Sequence, residues 1–292
     1  MSSIWLESFT TLFKRHPIKT PTGEVYQVGG TPSFGKPWIG AAVLIIVLVL
    51  LSVFTASLAS YFVYVGVSLV PMIALLAYVV RSDRYEPEPK ALVFSMVGVG
   101  VVLSAFSNAV SFPGGFSGYM LKMLLIEFVF FMVLYLMDAN RFTGREFNDH
   151  LDGSVYGLSL GAGYIAYQNF YLLSSVEIIR PELVLSAAVE GFVLGVFPAL
   201  SGWWIGYVKA KYVSVRFSDL FAGFVPVAVL KMISVLVLAG LALLGMFPRL
   251  VGVVLLALLL VAIIVRRVSW ALQDEVAWGY AAGRAPVEKK VS

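Results

Sequence analysis

The chain contains no cysteine, only two histidines, and charged residues at just 13% of its 292 positions. Lack of cysteine excludes disulfides, thiolate metal sites and a cysteine nucleophile. The histidines, His16 and His150, fall in segments expected outside the membrane. No His-Glu-x-x-His zinc helix is therefore present, and no imidazole lies at membrane depth to activate a serine. No aspartate falls inside an expected span, which excludes a paired intramembrane aspartate mechanism. A glycine-rich phosphate loop is lacking too, because Gly161-Ala162-Gly163 has no following lysine and no soluble context. A soluble domain carries about a quarter charged residues, so a water-exposed surface is not available here.

What is abundant is apolar: 60% of the residues are hydrophobic. The first long apolar run goes from Trp38 to Val80 without a charge. That far exceeds the ~7–15 residue core of a cleavable signal, so it is expected to stay in the membrane. A helix needs about 20 apolar residues to cross, so this run predicts two spans with a turn near Ser57–Tyr61. Further spans are predicted at Ala91–Ser111, Tyr119–Met137, Gly153–Ser174, Leu183–Val208, Leu220–Phe247 and Leu250–Val265, the last two parted at Pro248-Arg249. The expected fold is all-α: a polytopic transmembrane bundle of about eight spans. Residues 1–37 form an N-terminal interfacial or cytoplasmic segment, 38–265 the helical domain and 266–292 a cytoplasmic tail.

Lysine and arginine set the orientation. Seventeen of the 21 fall in the N-terminal segment, in alternate links or in the C-terminal tail. Only Lys122, Arg180 and Arg249 stand opposite, with Lys231 inside a span. Both termini are thus expected in the cytoplasm, and the protein in the plasma (cytoplasmic) membrane. Because the basic residues are spread as topology signals, nucleic acid is not an expected partner; the lipid bilayer is. Two flanking segments read as interfacial: Ile4, Trp5, Phe9, Leu12 and Phe13 before Lys14-Arg15, and Trp270, Leu272, Val276 and Trp278 beyond Arg267.

Ionisable residues deep in a bilayer cost about 2.5–3.5 kcal/mol each and usually have a partner. Glu127, Glu190 and Lys231 lie within spans, joined by the amides Gln168 and Asn169. Counting about 1.5 Å per residue, four consecutive helices place these groups at overlapping depths in the outer half. Gly153, Gly157 and Gly161 repeat at every fourth position and would draw a neighbouring helix close. Gln168, seven residues beyond Gly161, shares their face and should point inward. The five residues are expected to form one internal cluster, either a functional site or a polar knot that fixes helix register.

Several motifs resemble the PrsW family of intramembrane proteases. They are Asp83-Arg84-Tyr85-Glu86-Pro87-Glu88-Pro89 after the second span, Glu127 on the fourth, Asp152-Gly153-Ser154-Val155-Tyr156-Gly157, and Gly161 through Tyr171. The resemblance covers roughly residues 65 to 240. It implies a membrane endopeptidase using glutamates and histidines, with a metal ion. Position by position, the chain departs from that pattern. The Glu-Glu-x-x-Lys motif survives as Ile126-Glu127-Phe128-Val129-Phe130, and Gln168-Asn169 replaces Glu-Asn. Glu190 and Lys231 stand where histidines are expected. No metal or other cofactor is expected, Lys231 supplying the positive charge by pairing with Glu190 and Glu127. Three functions remain open: a pseudoprotease binding transmembrane segments of other proteins, an active peptidase with Glu127 as base, or a conduit for protons, ions or a small solute.

Overall fold

The structure is a computed structural model describing residues 2–18, 58–83, 88–112, 114–212 and 215–278. The predicted first span, beginning at Trp38, lies outside the described residues. The described helices are α1 (Ser2–Thr10), α2 (Leu58–Ser68), α3 (Val70–Ser82), α4 (Lys90–Ala109), α5 (Gly115–Ala139), α6 (His150–Ser174), α7 (Pro181–Gly195), α8 (Phe197–Lys211), α9 (Phe217–Ala242) and α10 (Met246–Ala277).

By length and apolarity α4, α5, α9 and α10 can each cross a bilayer, as can α7 and α8 taken together. The pair α2–α3, bent by 50° at Leu69, makes a sixth candidate. The protein is therefore a multi-pass membrane protein in contact with lipid. Its surface agrees: Phe94, Val102, Phe106, Leu255 and Leu258 on α4 and α10 are all more than half exposed. In water that much apolar surface would be a liability; in hydrocarbon it is the solvated face.

At the centre runs α6, whose residues from His150 to Ile165 are all buried. It is long enough to cross but too rich in small and polar residues to rank with the apolar helices. Its start is fixed by a reciprocal cap. The Asp149 carboxylate accepts from the Leu151 and Asp152 amides at 2.7 and 3.2 Å. The Asp152 carboxylate accepts in turn from the Asn148 and Asp149 amides at 2.8 and 3.0 Å. Together these satisfy amides that the helix itself leaves without partners.

The predicted glycine face is where α8 and the end of α7 dock. A Cβ on Gly202 would fall 1.9 Å from the Gly153 carbonyl oxygen, and one on Gly161 would fall 1.9 Å from that of Gly195. On another side, a Cβ on Gly163 would meet the Val97 carbonyl at 1.9 Å, so α4 also lies backbone to backbone with α6. Only glycine permits such approach.

One difference from the sequence expectation concerns a chain break. The break before the last helix falls at Leu243–Gly245, not at Pro248-Arg249, which lie inside the first turn of α10. Proline is tolerated there because that turn has no amide bond to lose. Beyond the predicted span to Val265, α10 continues to Ala277, in line with the reading that the segment bearing Trp270, Leu272 and Val276 could prolong the last helix.

Side-chain contacts identify the two ends of the bundle. At one end Glu7 of α1 meets Lys211, Tyr207 and Tyr212. There too, Arg15 pairs with Asp274 at 2.6 Å and Lys209 with Asp138 at 2.7 Å. At the opposite end Phe62 stacks on Phe170 at 6.0 Å, and Glu190 pairs with Arg249. The chain passes between these ends as α2–α3, α4, α5, α6, α7–α8, α9 and α10, alternating in direction.

Gly202→Ala is expected to force α6 and α8 apart and to cost about 1–3 kcal/mol, the usual range for overpacking. Thermal unfolding in detergent should show a lowered midpoint, whereas Gly98→Ala, with open space around its Cβ position, should leave it unchanged.

Candidate functional site

Glu127 and Lys231 meet in the interior. Lys231 Nζ donates to Glu127 Oε2 at 2.8 Å, and the side chains are 1% and 0% exposed. Ser201 on α8 donates its hydroxyl to the other carboxylate oxygen at 3.2 Å. The ammonium also lies over the Phe130 and Phe197 rings, 5.4 and 5.9 Å from their centroids. Isolated, either charge would be very costly here. Paired, with aromatic faces around the cation, they form a buried tie between α5 and α9.

Glu190 does not join them. Arg249 donates to its Oε1 through Nε and Nη2 at 2.9 and 2.6 Å, and Ser186 donates to the same oxygen at 2.7 Å. The expected pairing of Lys231 with both acids is therefore corrected: Lys231 bonds Glu127, and a cation from the start of α10 takes Glu190. The reason is the position of the helix break. With Pro248-Arg249 inside α10, Arg249 is fixed on a helical turn facing α7.

The amides form a third group. Gln168 Oε1 accepts from Asn108 at 2.6 Å and from Ser104 at 3.3 Å, both on α4. Gln168 does point into the bundle, but its partners lie on α4 and not on the glycine-packed helix α8. Asn169 donates to Ser68 Oγ at 2.9 Å, beside the bend between α2 and α3.

Gln168, Asn169 and Glu190 line one cavity of about 560 Å³, together with Asn108, Tyr119 and Arg249. Neither Glu127 nor Lys231 is part of its lining. The sequence cluster thus divides into an enclosed ion pair and a separate polar cavity toward the far end of the bundle. Ser201, Asn108 and Arg249 were missed by sequence reasoning. Ser201 and Asn108 are polar residues inside apolar runs, a signal that existed, whereas Arg249 reads from sequence as an ordinary loop charge.

The donor set does not suit the metal ion that the family resemblance implies. A transition-metal site wants imidazole, thiolate or free carboxylate ligands. Here one carboxylate is held by an ammonium, the other by a guanidinium, and no imidazole stands beside either.

A second acidic group gathers at the α1 end. Ligand oxygens of Asp83, Glu88 and Asp152 lie within 4.8 Å of one another, and Tyr156 donates its hydroxyl to Glu88. Glu88 precedes Pro89, a step that favours extended backbone at Glu88, and the Glu88 amide bonds back to Asp83 at 3.2 Å. Burial, together with the nearby charges of Asp83, Asp149 and Glu146, pushes the Glu88 carboxyl up to about 9, against a hydrogen bond with Asp152 that works the other way. Asp152 is raised as well, by burial and by the nearby charges of Asp149, Glu88 and Asp83, so the Glu88–Asp152 pair retains a proton that relieves repulsion within the cluster.

Comparison with known proteins gives three curated relatives. The chain is 29% identical over 163 residues to Protease PrsW of Geobacillus kaustophilus, covering 52% of this chain and 68% of that one. It is 29% identical over 154 residues to Protease PrsW of Bacillus subtilis, covering 47% and 67% respectively. The Protease PrsW of Oceanobacillus iheyensis is 26% identical over 155 residues, 49% of this chain and 64% of that one. No family model and no solved structure matches the chain.

Two predictions arise from these groups. Lys231→Met leaves the Glu127 charge buried without a partner and should destabilise the fold by about 3–5 kcal/mol. The double variant Glu127→Gln/Lys231→Met should recover most of that loss in the same unfolding assay. For Glu88 the folded value lies above the ordinary value of 4.5. Between that value and about 9 the unfolded chain releases a proton that the fold retains, so stability falls as pH rises across the window. Glu88→Gln should flatten the dependence of the unfolding midpoint on pH across this window. These features belong to a multi-pass membrane protein distantly homologous to the PrsW proteases over about half its length.

Proposed function

We propose that this protein is a catalytically degenerate PrsW-like membrane protein that binds transmembrane segments of partner proteins, using the polar cavity beneath Glu190 and Arg249. Under this reading it has eight spans, with both termini in the cytoplasm. The observation that carries it is the 2.8 Å contact between Lys231 and Glu127, with both side chains enclosed. A glutamate acting as general base must reach water and offer a free lone pair for its proton. Here Lys231 and Ser201 both donate to the carboxylate, and the cavity does not extend to it. The two groups that a peptidase could use to polarise a scissile carbonyl, Asn169 and Lys231, are both engaged, Asn169 donating to Ser68 and Lys231 to Glu127.

The cavity offers what a bound segment needs. Its volume falls in the range of ligand sites, about 300–1,000 Å³. Gln168, Asn169 and Tyr119 supply neutral hydrogen-bonding groups, and Ile165, Leu172, Leu183 and Leu194 add apolar wall. Such a lining suits a helix end whose backbone groups lack partners in the bilayer.

The test reconstitutes the full-length protein in liposomes with single-span membrane substrates. We expect no cleavage by wild type or by Glu127→Gln. Binding should weaken about tenfold, or about 1.4 kcal/mol, in Gln168→Leu. Cleavage by wild type that disappears in Glu127→Gln would establish the peptidase instead. Proton or ion flux abolished by Lys231→Met in a protein that remains folded would establish the conduit.

A further inference from the structure

The cavity of about 560 Å³ has one ion pair and three side-chain amides in its wall. Their hydrogen bonds are one-sided. Glu190 Oε1 accepts from Arg249 and Ser186, whereas no described residue donates to Oε2. Gln168 Oε1 accepts from Asn108 and Ser104, whereas its amide nitrogen donates to none of the described residues. Asn169 is the reverse: its nitrogen donates to Ser68, and no described residue donates to its oxygen. That oxygen lies 3.0 Å from where a Cβ on Gly191 would stand, so it faces α7 and the helix that carries Glu190. Tyr119, also in the wall, makes no side-chain hydrogen bond to a described residue.

Two acceptors, Glu190 Oε2 and Asn169 Oδ1, and two donors, the Gln168 amide and the Tyr119 hydroxyl, therefore belong to one space. An apolar helix face laid over them would remove their water and return no hydrogen bond, which is the costly way to bury a polar atom. A site built from such groups discriminates strongly against a ligand that cannot answer them. The charges set the sign of the answer. Glu190 and Arg249 cancel, and Lys122, outside the wall, reaches Asn108 at 3.4 Å. A carboxylate on the partner would meet the open oxygen of Glu190, and an ammonium would add to Arg249 and Lys122. A neutral carboxamide suits both kinds of group, because it carries two N–H donors and a carbonyl acceptor in one plane.

Depth narrows the choice further. Gln168 and Asn169 lie six and five residues before the end of α6 at Ser174, and Glu190 lies nine residues after the start of α7 at Pro181. At about 1.5 Å per residue these groups sit roughly 8–14 Å in from the same end of the bundle.

We infer that the segments taken up at this cavity carry an asparagine or glutamine about five to nine residues from the helix end that lies opposite α1. The carboxamide N–H groups donate to Glu190 Oε2 and Asn169 Oδ1, and its carbonyl accepts from Gln168 or Tyr119. The inference rests on the proposed binding of transmembrane segments and gives that binding a rule of selection. Wholly apolar segments are passed over.

The test uses the full-length protein in liposomes and labelled single-span leucine helices at low peptide-to-lipid ratio, with binding read by energy transfer. One helix carries asparagine seven residues from each end, so that either direction of insertion presents it; others carry leucine, aspartate or lysine there. We expect the asparagine helix to bind about tenfold more tightly than the leucine helix. Tyr119→Phe and Gln168→Leu, each checked for an unchanged unfolding midpoint, should bring the two affinities together. Equal binding of the asparagine and leucine helices by wild type overturns the inference and leaves the reading of a segment-binding protein standing. Tightest binding of the aspartate or lysine helix overturns it too. If no helix binds, that reading fails together with the inference.

Discussion

The bundle depends on the ion pair between Glu127 and Lys231. Each partner alone would be a buried charge in an apolar interior, and only their mutual contact makes either tolerable. The pair therefore constrains α5, α8 and α9 together: α5 supplies the acid, α9 the base, and α8 the Ser201 hydroxyl that occupies the second oxygen. A shift of any one helix by a few ångströms would strand a charge. The aromatic rings of Phe130 and Phe197 complete the enclosure.

Around this tie the molecule separates two kinds of polarity. The central acid and base are matched within the core, whereas Gln168, Asn169, Glu190 and Arg249 line the separate cavity. Arg249 and Ser186 bond one oxygen of Glu190, and Gln168 accepts from Asn108 and Ser104 through its side-chain carbonyl. Distant homology to proteases has thus been retained over a scaffold in which the central acid is engaged by a lysine. The α1 end follows another rule: there, burial of carboxylates is relieved by a proton held within the Glu88–Asp152 pair and, at Glu7, by Lys211, Tyr207 and Tyr212. Burial alone would raise Glu7, but these three donors outweigh it and hold the carboxyl below the ordinary carboxylate range.

Much of the fold was readable from residue pattern, because membrane helices are defined by long apolar runs and their borders by charge. The helices over 90–109, 115–139, 150–174 and 217–242 lie close to their expected positions. The glycine repeat at 153, 157 and 161 correctly predicted a close helix contact, since only a missing side chain allows it. The site was partly legible. Ionisable residues at membrane depth pointed to Glu127, Lys231 and Glu190, but one-dimensional depth cannot distinguish which face of a helix a residue occupies. Glu190 therefore seemed available to Lys231, although Arg249 stood opposite it. The same ambiguity hid Asn108 as the partner of Gln168. The acidic group of Asp83, Glu88 and Asp152 joins residues almost seventy positions apart, and no local pattern connects them.

The last helix links two of these regions mechanically. From Met246 to Ala277 it is continuous, and Arg249 and Asp274 are separated by about 37 Å of unbroken α-helix. One end holds the Glu190 carboxylate at the cavity, while the other is clasped by Arg15 from the N-terminal segment. A stiff rod fastened at both extremities transmits displacement along its axis. A displacement of the segment around Arg15 would therefore reach Arg249 along one continuous helix, without any intervening loop to absorb it.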